Sequence, residues 1–291
     1  MFQDLERFLS GMGPKPFVFI PNPGNAGDSL IAYATFRLFE KLSLQYEIGD
    51  HRAVYPGRVL VYSGGGNLVD YYPQANRFLQ ANHSVCKMLV VLPHTVRSYE
   101  ETLSKLGPNC FIFCREQPSY EFVKRHATHA ICHLSHDVAL STDFNCLRGE
   151  TQLVFPWRTQ RPDVRKFELK RTLKTALYRL KNVRSPRSLN AYRTDPERTD
   201  ITIPRANIDI SHVCRLPLLA DTIDIARHAS VRMMQIVDRF TVVRTNRLHV
   251  AILAGILGKF VELYDNCYGK NRAVYEHSLR NRFENITWCG S

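Results

Sequence analysis

The stretch Arg244-Thr-Asn-Arg-Leu-His249 holds two side chains suited to proton transfer on a bound anion. Arginine offers a planar fork that grips carboxylate or phosphate through two parallel hydrogen bonds. Histidine is the side chain best matched to proton transfer near neutral pH. The segment joins a strand-like run to an apolar, helix-like run that ends at Gly258. Arg247 and His249 are therefore expected in the first turn of a helix, where open N–H groups and the helix dipole favour an anion.

Three other loops have compositions that suit ligand contact. Pro21-Asn-Pro-Gly-Asn-Ala-Gly-Asp28 has two glycines that let the backbone approach a ligand closely, and Asp28 is expected at or next to a helix N-cap. Its spacing is neither Walker A nor G-x-G-x-x-G, so it gives ATP and NAD no support. Ser63-Gly-Gly-Gly-Asn67 places three glycines in a row, an entropic cost that a simple turn rarely requires. Leu92-Pro-His-Thr-Val96 ends another apolar run and brings His94 to the same sheet edge. By contrast, His126, His129, His133 and His136 span a helix end, a strand and a loop. They would not converge on one face, and no metal site is expected there.

The elements that must position these loops follow from the apolar pattern. Phe17–Ile20, Val59–Tyr62, Met88–Leu92, Cys110–Cys114 and His129–Leu134 read as buried strands. Between them, Ser29–Leu42, Leu68–Ala81, Ser98–Leu106 and Pro118–Arg125 read as helices. A second series runs from a strand at Gln152–Phe155 to a helix at Asp221–Val237, a strand at Phe240–Val243, a helix at Asn246–Leu257 and a strand at Lys259–Leu263. Ser141–Glu150 has the composition of a linker between the two. The pattern predicts an α/β protein with two Rossmann-like domains, residues 1–145 and 146–291, facing across a cleft that would take a ligand at the carboxyl ends of strands.

The 291 residues carry 39 Lys+Arg against 27 Asp+Glu, a formal charge of +12. That excess is local: residues 158–205 hold 14 basic and five acidic side chains, a net of +9. A block of this kind is a solvated local element and does not make the whole protein basic. Within it Leu169, Leu173, Leu177 and Leu180 recur at helical spacing with lysines and arginines on other faces, a basic amphipathic helix. Such a helix packs on the second domain, or meets an anionic membrane leaflet or the pyrophosphate of a lipid-linked acceptor. The eight cysteines show no C-x-x-C spacing and are expected buried and reduced. No run approaches a membrane span and no signal peptide is recognised, so a cytoplasmic protein is expected, and the sequons at Asn82 and Asn285 carry no weight.

Taken in order, Gly24-Asn-Ala-Gly-Asp28, Gly64-Gly-Gly-Asn-Leu68, Leu92-Pro-His-Thr95, Cys114-Arg-Glu-Gln-Pro-Ser-Tyr120, His136-Asp-Val-Ala139, Asn246-Arg-Leu-His249 and Tyr264-Asp-Asn-Cys-Tyr-Gly-Lys270 resemble the polysaccharide pyruvyltransferase family. The likeness covers residues 17–145 and 220–275. It implies a GT-B-like pair of domains, acceptor side first and donor side second. It also implies transfer of the enolpyruvyl unit of phosphoenolpyruvate to a sugar of a bacterial surface polysaccharide, giving a cyclic ketal. On this resemblance Arg247 holds the donor, and His249 acts as general acid or stabilises the leaving phosphate. Lys270 adds a phosphate contact, and Arg158 in Phe155-Pro-Trp-Arg158 is the second donor arginine, with Arg161 the alternative. Asn25, Gly27 and Asp28 face the acceptor with Asn67, His94 and Arg115, and Asp28 is the candidate base. Phosphoenolpyruvate is a co-substrate, and neither cofactor nor metal is implied.

Two rivals remain at this level. A GT-B glycosyltransferase using a nucleotide sugar would share the two-domain cleft. A nucleic-acid-binding module could rest on the basic block, but that block has few aromatics and matches no zinc-finger or RNA-recognition pattern. No nucleic-acid partner is expected.

Overall fold

The inner strands of the first half are apolar at successive positions because both their faces are covered. The edge strands Tyr46–Ile48 and Ile131–Leu134 stay partly exposed, the second against the expectation of a buried strand. A computed structural model of the protein describes residues 2–153, 162–216 and 222–290. Residues up to Pro23 and Ile31–Thr142 belong to one compact unit; the described parts of Gly24–Leu30, Asp143–Leu219 and Ile223–Ser291 form a second. The chain begins with α1 (Gln3–Ser10), β1 (Phe17–Ile20), α2 (Ala26–Lys41), β2 (Tyr46–Ile48), β3 (Val59–Tyr62) and β4 (Gly65–Leu68). It continues through α3 (Gln74–Asn82), β5 (Met88–Val96), α4 (Glu100–Ser104), β6 (Cys110–Cys114), α5 (Gln117–His126) and β7 (Ile131–Leu134).

These strands form a parallel sheet in the order β2-β1-β3-β5-β6-β7, with β4 paired to β5. Along β1 the side chains alternate between faces. Val18 and Ile20 join Leu60, Tyr62, Leu89, Val91 and Ile112 in one apolar cluster. Phe17 and Phe19 meet Phe39 edge-on, and Phe19 also meets Phe36, all from the other side. Each fully buried side chain of this size contributes about 1.5–3 kcal/mol. Sheet order changes direction between β1 and β3, the kind of switch point at which open α/β sheets bind ligands.

The second unit contains α6 (Phe144–Gly149), α7 (Pro162–Lys181), β8 (Ser188–Asn190), α8 (Ile210–Val213), α9 (Ile223–Val237), β9 (Val242–Thr245), α10 (Leu248–Ile256), β10 (Phe260–Leu263), α11 (Lys270–Val274) and β11 (Ile286–Trp288). Its sheet is parallel, ordered β11-β10-β9-β8. Among the described residues no helix is long and apolar enough to cross a membrane.

Several sequence expectations need correction. Ser63–Asn67 is not all loop, because Gly65–Leu68 pairs as β4 with β5, and Asn67 N–H donates to His94 Nε2 at 3.1 Å. Strand β5 runs on to Val96, so His94 lies inside the sheet and not in a loop beyond it. The helix expected from Leu68 begins only at Gln74, after the β4 pairing has taken up Leu68. The linker at Ser141–Glu150 contains α6, whose N-cap Asp143 accepts from the N–H groups of Asn145 and Cys146. Gln152 and Leu153 close a 3-10 turn, not a strand; Val154 and Phe155 lie outside the described residues. The first described strand of the second unit is β8, which lies within the basic block. That block therefore supplies part of the core sheet and is not an appendage. Finally, Cys267 and Cys289 are exposed and Cys132 and Cys146 half-buried, so only four of the eight cysteines are buried.

Candidate active site

At the carboxyl edge of the second sheet the chain leaves β9 through Asn246 and Arg247 into α10. Asn246 is buried and fixes this turn: its Oδ1 accepts from Arg193 N–H at 2.7 Å, and its carbonyl accepts from Asn271 Nδ2 at 2.8 Å. Arg247 is the N-cap of α10, and its backbone N–H donates to Thr245 Oγ1 at 2.9 Å. His249 follows one residue into the first turn and is half-buried. The expected placement at a helix start thus holds, with Arg247 at the cap itself.

The same unit includes Gly24–Leu30. Helix α2 begins at Ala26, so Asn25 is the cap and Asp28 lies within the first turn, not at the cap. The two close on each other: Asp28 Oδ2 accepts from Asn25 N–H, and Asn25 Oδ1 accepts from Gly27 N–H, both at 2.8 Å. This reciprocal arrangement is a capping box. Gly27 is buried, and a Cβ there would lie 2.6 Å from His249 Nδ1 and 3.1 Å from His249 Cβ. Only a residue without a side chain lets the Asn25–Asp28 turn sit against the His249 ring. Asn25, Gly27, Asp28, Arg247 and His249 are therefore brought together.

Beneath Arg247 is a network of buried charge that sequence reading missed. Arg247 is bidentate on Asp209, through Nε at 3.1 Å and Nη2 at 2.5 Å, and its Nη2 is also 2.7 Å from Asp195. Arg193 bridges Asp195 and Glu197 at 2.7 Å each. Lys270, the first residue of α11, donates to Glu197 Oε2 at 2.7 Å, where Asn266 and Tyr268 also donate. Three cations thus face three carboxylates. Burial would raise the Glu197 carboxyl, but Lys270 and Arg193 overcome it and hold it far below the usual range. Asp195 is likewise lowered, by Arg193 and Arg247 against its burial. The available signal was the rarity of acid in the basic block: Asp195 and Glu197 are two of its five acidic residues. Arg158 and Arg161 lie outside the described residues.

The first unit holds the other expected residues at its own sheet edge. Asn67 Nδ2 donates to Asn22 Oδ1 at 2.6 Å, and Tyr62 hydroxyl donates to the same oxygen at 3.2 Å. A Cβ at Gly65, whose φ is +153°, would meet Asn22 Nδ2 at 2.6 Å, so the protein's own side chain occupies the approach that the glycine permits. His94 is fully buried, and burial together with nearby Arg115 lowers its pKa to about 3. Arg115 is 1% exposed and spends its fork inside the protein, on Asp137 at 2.6 Å and Thr95 at 2.8 Å. The dense histidines do not converge: His126 ends α5 against Phe122, His133 stacks on Phe113 from β7, and His136 meets Phe2.

Comparison with known proteins gives these geometries a context. The chain is 27% identical over 286 residues, 89% of its length and 83% of the relative's, to "Putative pyruvyl transferase EpsO" of Bacillus subtilis (strain 168). A crystal structure of a protein of uncharacterized function from Klebsiella pneumoniae subsp. pneumoniae NTUH-K2044 superposes with a TM-score of 0.75 at 28% identity. It covers 100% of this chain and 99% of that one. These matches do not favour the nucleotide-sugar glycosyltransferase alternative. The model for polysaccharide pyruvyl transferase matches residues 25–259, most of the sequence, and the chain belongs to that family.

Proposed function

We propose that this protein transfers the pyruvyl group of phosphoenolpyruvate to a sugar of a surface polysaccharide, or of its lipid-linked precursor, and closes a cyclic ketal. The observation that carries this reading is the seating of the Asn25–Asp28 turn on His249, one residue beyond the Arg247 cap. A phosphate-bearing carboxylate needs a cationic fork and a helix start, and protonation of its methylene needs an acid beside it.

In this scheme Arg247, Lys270 and Arg158 hold the donor's carboxylate and phosphate. His249 delivers a proton to the methylene carbon, leaving an electron-poor C2. A sugar hydroxyl adds there and Asp28 takes its proton. The C2–O bond to phosphate then breaks, a second hydroxyl of the same sugar adds to C2, and its proton leaves with inorganic phosphate. The proton on Asp28 returns to His249, so over a turnover one hydroxyl hydrogen replaces the one given to the new methyl group and the other ends on phosphate, and the reaction balances without metal, nucleotide or cofactor. Asn25 and Gly27 line the acceptor beside Asp28. Asn67, His94 and Arg115 act from burial by fixing the edge of the first sheet.

Incubation with phosphoenolpyruvate and an oligosaccharide acceptor tests the proposal. The expected outcome is stoichiometric phosphate with an acid-labile ketal, lost in His249→Ala and strongly reduced in Arg247→Lys. A nucleoside diphosphate released from a nucleotide sugar, with phosphoenolpyruvate untouched, would overturn it.

A further inference from the structure

The leucines of α7 point away from the protein. Leu169, Leu173, Leu177 and Leu180 are 63, 59, 47 and 71% exposed, and Val183 just beyond the helix is 69% exposed. At ~100° per residue the four leucines and Ala176 share one sector of about 100°. The opposite face is the buried one, and it is mixed: Val164 and Tyr178 are buried there beside Glu168 and Thr175. Glu168 accepts from Arg171 at 2.9 Å and lies 3.0 Å from Arg232 and 3.2 Å from His228 of α9. Tyr178 donates its hydroxyl proton to the Ser188 carbonyl at 3.1 Å. The helix is thus packed on the second unit, one of the sequence expectations, but through this mixed face, and its leucine stripe is left outward.

Exposed Lys170 and Lys181 border one side of the stripe and Arg179 the other, Lys166 heads the stripe one turn before Leu169, and Arg184 and Arg187 follow. Between Val164 and Asn190 the only acidic side chain is Glu168, which is buried. Two copies of this face would bring rows of like charge together, which works against self-pairing. An apolar stripe bordered by cations alone is complementary to a surface that is apolar below and anionic above.

We propose that α7 docks this protein on an anionic lipid bilayer, lying in the plane of the interface. The leucines enter the boundary between headgroups and acyl chains, and the lysines and arginines meet lipid phosphates. The proposal rests on the exposed face of α7 and is independent of the pyruvyl-transfer reading.

Flotation of the full-length protein with vesicles tests it, using phosphatidylcholine alone and phosphatidylcholine with about one third phosphatidylglycerol. The expected result is binding to the anionic vesicles at least about tenfold tighter than to the neutral ones, weakening with added salt. Leu173→Asp with Leu177→Asp should weaken it by about 30-fold or more, with an unchanged melting temperature because both positions are exposed. Replacing Lys166, Lys170 and Lys181 by Gln should weaken it by about fivefold per residue. Equal binding to both vesicles, no binding to either, or full binding by the leucine variant would overturn the proposal. A dimer in sedimentation that the leucine variant abolishes, without vesicle binding, would assign the face to a second copy instead.

Discussion

The Arg247 guanidinium lies bidentate on the Asp209 carboxylate, and both groups are buried. The guanidinium is thus already neutralised and aimed by the protein itself. Its Nε–Nη2 edge is taken by Asp209, with Nη2 shared by Asp195, so the phosphate or carboxylate of the proposed donor must compete with these two carboxylates for it.

Arg247→Met leaves Asp209 and part of Asp195 without their cation. It should destabilise the protein by about 3–5 kcal/mol, the usual penalty for breaking a buried pair from one side. Adding Asp209→Asn to that variant should recover a substantial part of the loss. A double-mutant cycle in urea denaturation reads the coupling directly, and strictly additive effects would show that the two residues act separately.

Gly27→Ala should separate folding from function. The new Cβ must push the His249 ring away, since 2.6 Å is far inside contact distance. Alanine meanwhile favours the helix over glycine by about 0.5–1 kcal/mol, which offsets much of the clash. Turnover should drop about tenfold or more with little change in melting temperature. Unchanged kcat would remove His249 from the reaction centre.

His94 makes stability depend on pH in a defined window. Its folded pKa, about 3, lies below the ordinary 6.5, so the unfolded chain binds the extra proton between those values. The contribution is fully present above pH 6.5 and is lost as pH falls toward 3, at up to about 1.4 kcal/mol per pH unit. Denaturation midpoints between pH 4.5 and 6.5 should fall more steeply with acid in the wild type than in His94→Gln, in which the other histidines of lowered pKa, His51, His133 and His212, still contribute. Parallel pH profiles would remove His94 as the cause.

Within the charge network the two sides are unequal. Glu197 Oε2 receives Arg193, Lys270, Asn266 and Tyr268 together. Glu197→Gln strands buried Lys270 and leaves Arg193 with Asp195 alone, and should cost about 3–5 kcal/mol. Lys270→Met leaves three donors on the carboxylate and should cost about 1–2 kcal/mol. Thermal and urea unfolding of the two variants gives the ranking, and the reverse order would contradict this account of the network.

The parallel strands were legible because burial on both faces makes them continuously apolar, as at Phe17–Ile20 and Cys110–Cys114. The start of α10 was legible because Arg-x-His stands before an unbroken apolar run. What composition hid was pairing over long distances. Arg247 meets Asp209 across 38 residues, and Lys270 meets Glu197 across 73, neither of which leaves a local spacing. Glycine-rich β4 was hidden too, since three glycines signal a turn even where backbone pairing with β5 holds the last two of them extended. For α7, the pattern gave the helix and its stripe but not which face would be covered, because a mixed buried face has no hydropathy signature.

That mixed face has a mechanical consequence. A helix held by oil can roll about its axis at small cost, since one leucine substitutes for another. Helix α7 is keyed instead: Glu168 fits Arg171 on its own helix and Arg232 and His228 on α9, and no other rotation would place it there. Burial opposes ionisation of Glu168, yet these partners hold its pKa at about 2, so the key stays engaged until strongly acidic conditions. The outward bearing of the leucines is therefore fixed by the fold beforehand and does not await whatever surface they meet.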